Sequence, residues 1–206
     1  CFQGFLGWYM VSSGLVDRVD VSHFRLSIHL VLAFLILSLI FWNYLKINKK
    51  NDISRKIKTF VPLLLLILIY FQIIIGAFVS GMDAGKIYNS WPLMGNTYFP
   101  DDNKLTNLFE LTAFSEPSLV QFFHRNLAYV IAIYFIFILY KVYRNKLFDL
   151  YNSINLVGLF IILQIILGIF TIIYGAQIYI ASMHQISSIF LVSSSIYFLY
   201  LNTKSN

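Results

Sequence analysis

The sequence predicts an all-α integral membrane protein, a helical bundle, and three observations carry that reading. Of its 206 residues, 59% are hydrophobic and only 12% are charged, against roughly 25% charged in soluble domains. Several apolar runs reach the ~20 residues that carry a helix across a bilayer. Basic and acidic loops alternate along the chain, as they do when a chain threads the membrane repeatedly. A spanning backbone must satisfy its own hydrogen bonds, which selects helices.

In chain order the predicted segments are about 1–14, 24–45, 60–80, 118–140, 154–174 and 179–201. The first, "CFQGFLGWYMVSSG", rises only ~21 Å as a helix, short of the ~30 Å hydrocarbon core. It opens on Cys1 rather than Met, and the expectation is a chain that begins part-way through a helix. Cys1 is the single cysteine, which excludes an intrachain disulfide and any multi-cysteine metal site.

Charge sets the orientation. The loop 46–59 carries Lys46, Lys49, Lys50, Arg55, Lys56 and Lys58 against Asp52. The loop 141–153 carries Lys141, Arg144 and Lys146 against Asp149, and the tail holds Lys204. Opposite them, residues 81–117 set Lys86 and Lys104 against Asp83, Asp101, Asp102, Glu110 and Glu116, and the turn 15–22 is also net acidic. The basic loops and the C-terminus are therefore predicted on the cytoplasmic or matrix side. The formal charge of +6 is explained by these loops and does not call for nucleic acid.

An internal repeat runs through the chain. "FQGFLGW", "FQIIIGA" and "LQIILGI" share Gln-x-x-x-Gly at Gln3/Gly7, Gln72/Gly76 and Gln164/Gly168, and Gly14 and Gly175 each follow seven residues later. Small residues let helices approach, and a buried glutamine bonds across them. Each copy heads a helical hairpin whose second helix carries histidine near its start. A two-helix unit thus appears three times, and if the parent is two four-helix halves, segments three to six form one complete half. Residues 1–45 would be the last hairpin of the first half, 46–59 a linker, and 60–206 the second half with its outer loop 81–117. One hairpin would precede the chain.

All four histidines, His23, His29, His124 and His184, fall towards the acidic side. Ionisable residues within a membrane are costly and mark function by default. His23 and His29 are six residues apart, roughly 120° around a helix, and His29 lies ~9 Å deeper. His29 is the candidate ligand, while His23 is expected to face solvent or cap the helix. Zinc would recruit three close ligands, often with cysteine or carboxylate, and no carboxylate lies within a predicted span. A planar iron macrocycle between helices needs one axial imidazole from each side, which His124 and His184 supply at matched depth. Phe and Tyr, 34 together, would pack its edges or form the core. Arg125 is expected either to snorkel to headgroups or to pair with carboxylates of the macrocycle. By the repeat, the mate of His29 belongs to the preceding hairpin.

The motifs "GAFVSGMDAGKIYNSWPLMG", "VQFFHRNLAYV" and "ASMHQISSIFLV" resemble haem A synthases over essentially the whole chain, and the first hairpin is similar to the second hairpin of their N-terminal half. The resemblance implies an eight-helix pseudo-twofold bundle of two halves that oxidises the ring methyl of haem O to the formyl of haem A for terminal oxidase assembly, by two successive hydroxylations and loss of water. It implies haem b held between His124 and His184, and His29 as one axial residue at the substrate site. Without that site's other helix, residues 1–206 alone are expected to be inactive. The outer loop becomes a lid, with Trp91-Pro92 as a rigid element, Asn89 and Trp91 as candidate propionate partners, and Asp83 in a structural hydrogen bond.

Partners implied are an external electron donor, haem O synthase, oxidase assembly factors and further copies of the chain. The location implied is a bacterial inner membrane, with a mitochondrial inner membrane as the alternative. Two rival functions use the same residues. A di-haem cytochrome that only transfers electrons shares every histidine argument. A transporter with inverted repeats would show broken helices and a charged midplane site.

Overall fold

A computed structural model describes residues 2–12, 21–47 and 56–203. Cys1, Gly14, most of the acidic turn 15–22, residues 48–55 of the basic loop and Lys204 lie outside the described residues. The described chain is helical: α1 Phe2–Ser12, α2 His23–Ile47, α3 Phe60–Gly81, α4 Pro117–Arg144, α5 Phe148–Ile173 and α6 Ile178–Thr203. Helices α2 to α6 are each long and apolar enough to cross a membrane. Each runs unbroken, unlike the interrupted helices that the transporter reading requires.

Most ends fall within two residues of the predicted segments, with two exceptions. Helix α5 starts six residues before the predicted 154, and α4 runs four residues beyond the predicted 140. Both extensions lie beside the basic loop, where Lys141, Arg144 and Asp149 stop an apolar run but not a helix. Pro117 sits in the first turn of α4, where a missing N–H costs nothing.

The helices pair as hairpins, α1 with α2, α3 with α4 and α5 with α6, and α6 also packs against α2 and α3. Helix α6 is accordingly the most enclosed span. The apolar core gathers Leu65 and Ile69, Ile138 and Val142, Leu150, Ile154 and Val157, and Val192 and Ile196, all nearly or fully buried. These positions lie in the half of each helix next to the basic loops. Polar ties reinforce it: the Asn202 amide accepts from Ile57 N–H and donates to Ile57 C=O, both at 3.0 Å. Tyr70 donates to Phe34 C=O at 3.0 Å beside Ser38, joining α3 to α2. The opposite half of the bundle is left for the histidines.

Candidate functional site: three histidine cradles and a latched outer loop

His29, His124 and His184 are the seventh, eighth and seventh residues of α2, α4 and α6, so they share one depth. The preceding antiparallel helix supplies each with the same support. Gln3 Nε2 donates to the main-chain carbonyl of His29 at 3.1 Å, Gln72 to that of His124 at 3.0 Å, and Gln164 to that of His184 at 3.0 Å. One turn on, a glycine makes room for the ring. A Cβ on Gly7, Gly76 or Gly168 would meet the imidazole Cε1 at 3.3, 3.0 and 3.3 Å. The repeat read from sequence as a helix-packing motif is thus a histidine holder, used three times.

His124 and His184 face each other, with ring centroids 6.4 Å apart and planes at 81°. Imidazole nitrogens hold metals at roughly 2 Å, so one metal between two such rings places their centroids roughly 6 Å apart. The Nδ1 atoms of His29, His124 and His184 are buried without a partner. A paired cradle with orphaned ring nitrogens fits a bis-imidazole iron macrocycle. Among the described residues no three His, Cys, Asp or Glu side chains gather as a metal-binding group. His29 lies on α2, in the α1–α2 hairpin, and is not part of that pair.

The outer loop is fastened by one stripe of α4. Gln121 donates to Tyr88 C=O at 3.0 Å, and Arg125 donates to the carbonyls of Tyr88, Ser90 and Leu93 at 3.0–3.2 Å. Tyr129 accepts from the Trp91 indole N–H at 3.1 Å. Gln121, Arg125 and Tyr129 are spaced i, i+4, i+8, one face of a helix. Arg125 is only 7% exposed, so it does not snorkel to headgroups; its charge serves three loop carbonyls. Asn89 donates to Gly85 C=O and to Ile172 C=O at the end of α5, at 3.1 and 2.9 Å. Trp91, Asn89 and Arg125 all turn donors onto the anchoring of the loop.

Two further residues singled out from the sequence can be placed. His23 is half-buried: its ring packs edge-on to Phe78 at 5.2 Å, and its Nε2 is buried without a partner. Gly81 permits this, because a Cβ there would come within 2.9 Å of His23 Cα. Asp83 holds a left-handed φ of 53° and pairs with Lys86 at 2.8 Å; the pair is exposed and worth little. Deeper in the loop, Tyr88 donates to Asp101 at 2.5 Å, with Asp102 at 3.1 Å. Partial burial, then the neighbouring carboxylates, push its phenol up to about 12.

Sequence reasoning missed Gln121, Tyr129 and Ser187. The i, i+4, i+8 spacing was visible for the first two. For Ser187, three residues after His184, the missing signal was that Gln164 bonds its hydroxyl at 2.6 Å.

The family model described as cytochrome oxidase assembly protein, COX15-CtaA, matches residues 1–196. A protein named heme A synthase from Pelagibacter ubique is 49% identical over the whole of this chain and 60% of its own length. Proteins of the same name from Rickettsia prowazekii and Flavobacterium johnsoniae are 38% and 37% identical over 98% of this chain, and over 62% and 61% of their own lengths. The chain therefore spans about three fifths of the length of these relatives. No solved structure matches it. With its repeated histidine holders and its five long apolar helices, the chain belongs to the family of cytochrome oxidase assembly proteins.

Proposed function

We propose that the protein is a haem A synthase, a multi-pass membrane oxidoreductase that converts the ring methyl of haem O to the formyl group of haem A. The observation that carries this is the pair of facing imidazoles, His124 and His184, 6.4 Å apart, together with a third histidine, His29, in the same Gln–Gly cradle on another hairpin. The relatives named heme A synthase support it.

His124 and His184 would hold haem b, with His29 serving the substrate haem. Held there, haem b would supply one-electron transfer, with the electrons coming from an external donor. The chain's own residues do the rest. The cradles fix the depth and facing of the rings, and the latched loop shields the outer end of the site from water. The first turn of that loop, Ala84–Lys86, packs against α3, α4 and α5, which is the placement of a lid over the second half. The basic loops support an orientation with the outer loop outside and the C-terminus in the cytoplasm of a bacterial cell.

The test is the haem content of membranes that make haem O but not haem A, after expression of the whole protein. Haem is extracted and identified by mass, beside His29→Ala and His124→Ala variants and a proven synthase. A formyl-bearing haem that is lost in both variants is the expected result. Bound haem b without conversion, while the control converts, would make the protein an electron-transfer cytochrome instead.

A further inference from the structure

Beyond the latched part of the outer loop, the chain winds into two short 3-10 turns, Leu105–Phe109 and Leu111–Ser115. The second turn packs on α4. Its anchor is Phe114, whose ring lies 5.4 Å from that of Phe123 and 6.4 Å from that of Phe78, with Ala113 buried beside it. Phe123 is the seventh residue of α4, and Phe78 stands three before the end of α3. The chain therefore turns back down the outside of the α3–α4 hairpin before α4 begins. Six helical steps carry Phe123 ~9 Å below the start of α4. A helix of 28 residues is ~42 Å long against a ~30 Å hydrocarbon core, so a centred α4 leaves only ~6 Å beyond each edge. Phe114 thus meets α4 at the outer edge of the hydrocarbon.

From this foothold the segment exposes its apolar side chains. Phe109 and Leu111 are 92% and 91% exposed, more than any other large apolar side chain among the described residues, and Leu105 is also exposed. In water, such side chains forfeit the gain of burial, and an exposed apolar patch outside a core marks an interaction surface. Glu110 between them is extended, and an extended residue sends its side chain away from those of its two neighbours. Its carboxylate accepts from Thr112 at 3.0 Å. The polar groups of the turns are spent within the loop. Asn107, Glu110, Ala113 and Glu116 each donate a main-chain N–H to the carbonyl three residues back. Asn107 donates to the Asn103 side chain at 3.1 Å, and Asn103 to Ser118 at 2.7 Å. Paired backbone donors and exposed apolar side chains suit the boundary of a bilayer, where unpaired N–H groups are costly.

We propose that residues 105–115 form a lipid foot. Phe109 and Leu111 enter the headgroup–acyl boundary of the outer leaflet, and Phe114 ties them to α3 and α4. The partner is the bilayer surface itself. The outer loop is then held from two sides, by Arg125 within the bundle and by lipid outside it. The foot depends on the membrane fold and not on the haem-binding reading of the site.

The experiment uses the whole protein in lipid nanodiscs, with its native cysteines replaced by serine. A nitroxide is attached in turn to Phe109→Cys, Leu111→Cys, Ile133→Cys and Lys86→Cys. Collision with oxygen, which concentrates in lipid, is read against collision with a water-soluble nickel chelate. Ile133, exposed on the spanning helix α4, is the lipid reference, and Lys86, exposed in the latched part of the loop, is the water reference. Labels at Phe109 and Leu111 should favour oxygen, as at Ile133, with the order inverted at Lys86. Preference for nickel at Phe109 and Leu111 would place the segment in water and overturn the proposal. Shielding from both reagents would mean that protein covers the patch, and would overturn it equally.

A second measurement needs no label. Phe109→Ser combined with Leu111→Ser should accelerate limited proteolysis between residues 104 and 116 in nanodiscs, with helical content unchanged by circular dichroism. An unchanged cleavage rate would also sink the lipid foot.

Discussion

Gly76 and His124 are 48 positions apart in sequence, yet a single carbon added to Gly76 would stand 3.0 Å from the His124 Cε1. The corresponding distance at Gly168 and His184 is 3.3 Å. The glycines therefore set how closely each ring rests on its neighbouring helix, and they do so with different tolerance.

Gly76→Ala should consequently displace the His124 ring by a few tenths of an ångström. Overpacking of this kind costs about 1–3 kcal/mol, and haem b retention should fall more in Gly76→Ala than in Gly168→Ala. Haem titration of the two purified variants gives the ranking directly.

A larger effect is expected at Gly81. There the added carbon would meet the His23 backbone at 2.9 Å, and backbone cannot swing aside as a ring tip can. Gly81→Ala should push α2 away from α3 and lower the thermal midpoint in detergent. Leu26, the next contact at 3.3 Å, cannot relieve it, so Leu26→Ala in the same background should restore little.

Removing Arg125 should free the outer loop without unfolding the helices. Arg125→Ala leaves the carbonyls of Tyr88, Ser90 and Leu93 without this donor, and hydrogen bonds to charged groups are worth about 1.5–3 kcal/mol each. Limited proteolysis between residues 82 and 116 should accelerate at least tenfold, while helical content stays constant. Arg125→Lys should rescue only in part, because one ammonium lacks the planar fork.

Alkali offers an independent handle on the same loop. The Tyr88 phenol titrates at about 12 in the folded loop against roughly 10 in an unfolded chain. The folded state therefore holds this proton more tightly. Its contribution is fully present below pH 10 and is lost as pH rises towards 12. Protease protection of the loop should decline across that window, and Tyr88→Phe should lack this phase.

The ladder of helices was legible because bilayer thickness imposes a length, and apolar runs of that length are hard to misread. The start of α5 was not, since the segment from Phe148 to Ser153 carries Asp149, Asn152 and Ser153 while continuing to wind, and hydropathy records side-chain polarity rather than backbone. The repeat was visible as Gln-x-x-x-Gly, but its partner was not. The histidine that each copy serves lies 26, 52 and 20 residues further along, and no fixed spacing announces it. The loop contacts of Arg125 were hidden for a related reason: nothing local to a cation beside an apolar run announces the carbonyls of a distant loop that converge on it.

The reciprocal bonds between Asn202 and Ile57 also bear on how the molecule is made. Residue 57 leaves the ribosome long before residue 202, so the segment leading into α3 is made with the Ile57 amide groups not yet paired to Asn202. Until α6 is synthesised, those groups depend on water at the bilayer surface or on the insertion machinery. Closure of this bundle is therefore a late event in biogenesis. A ribosome stalled before residue 202 would hold α2 to α5 in the lipid with the seam at Ile57 still open.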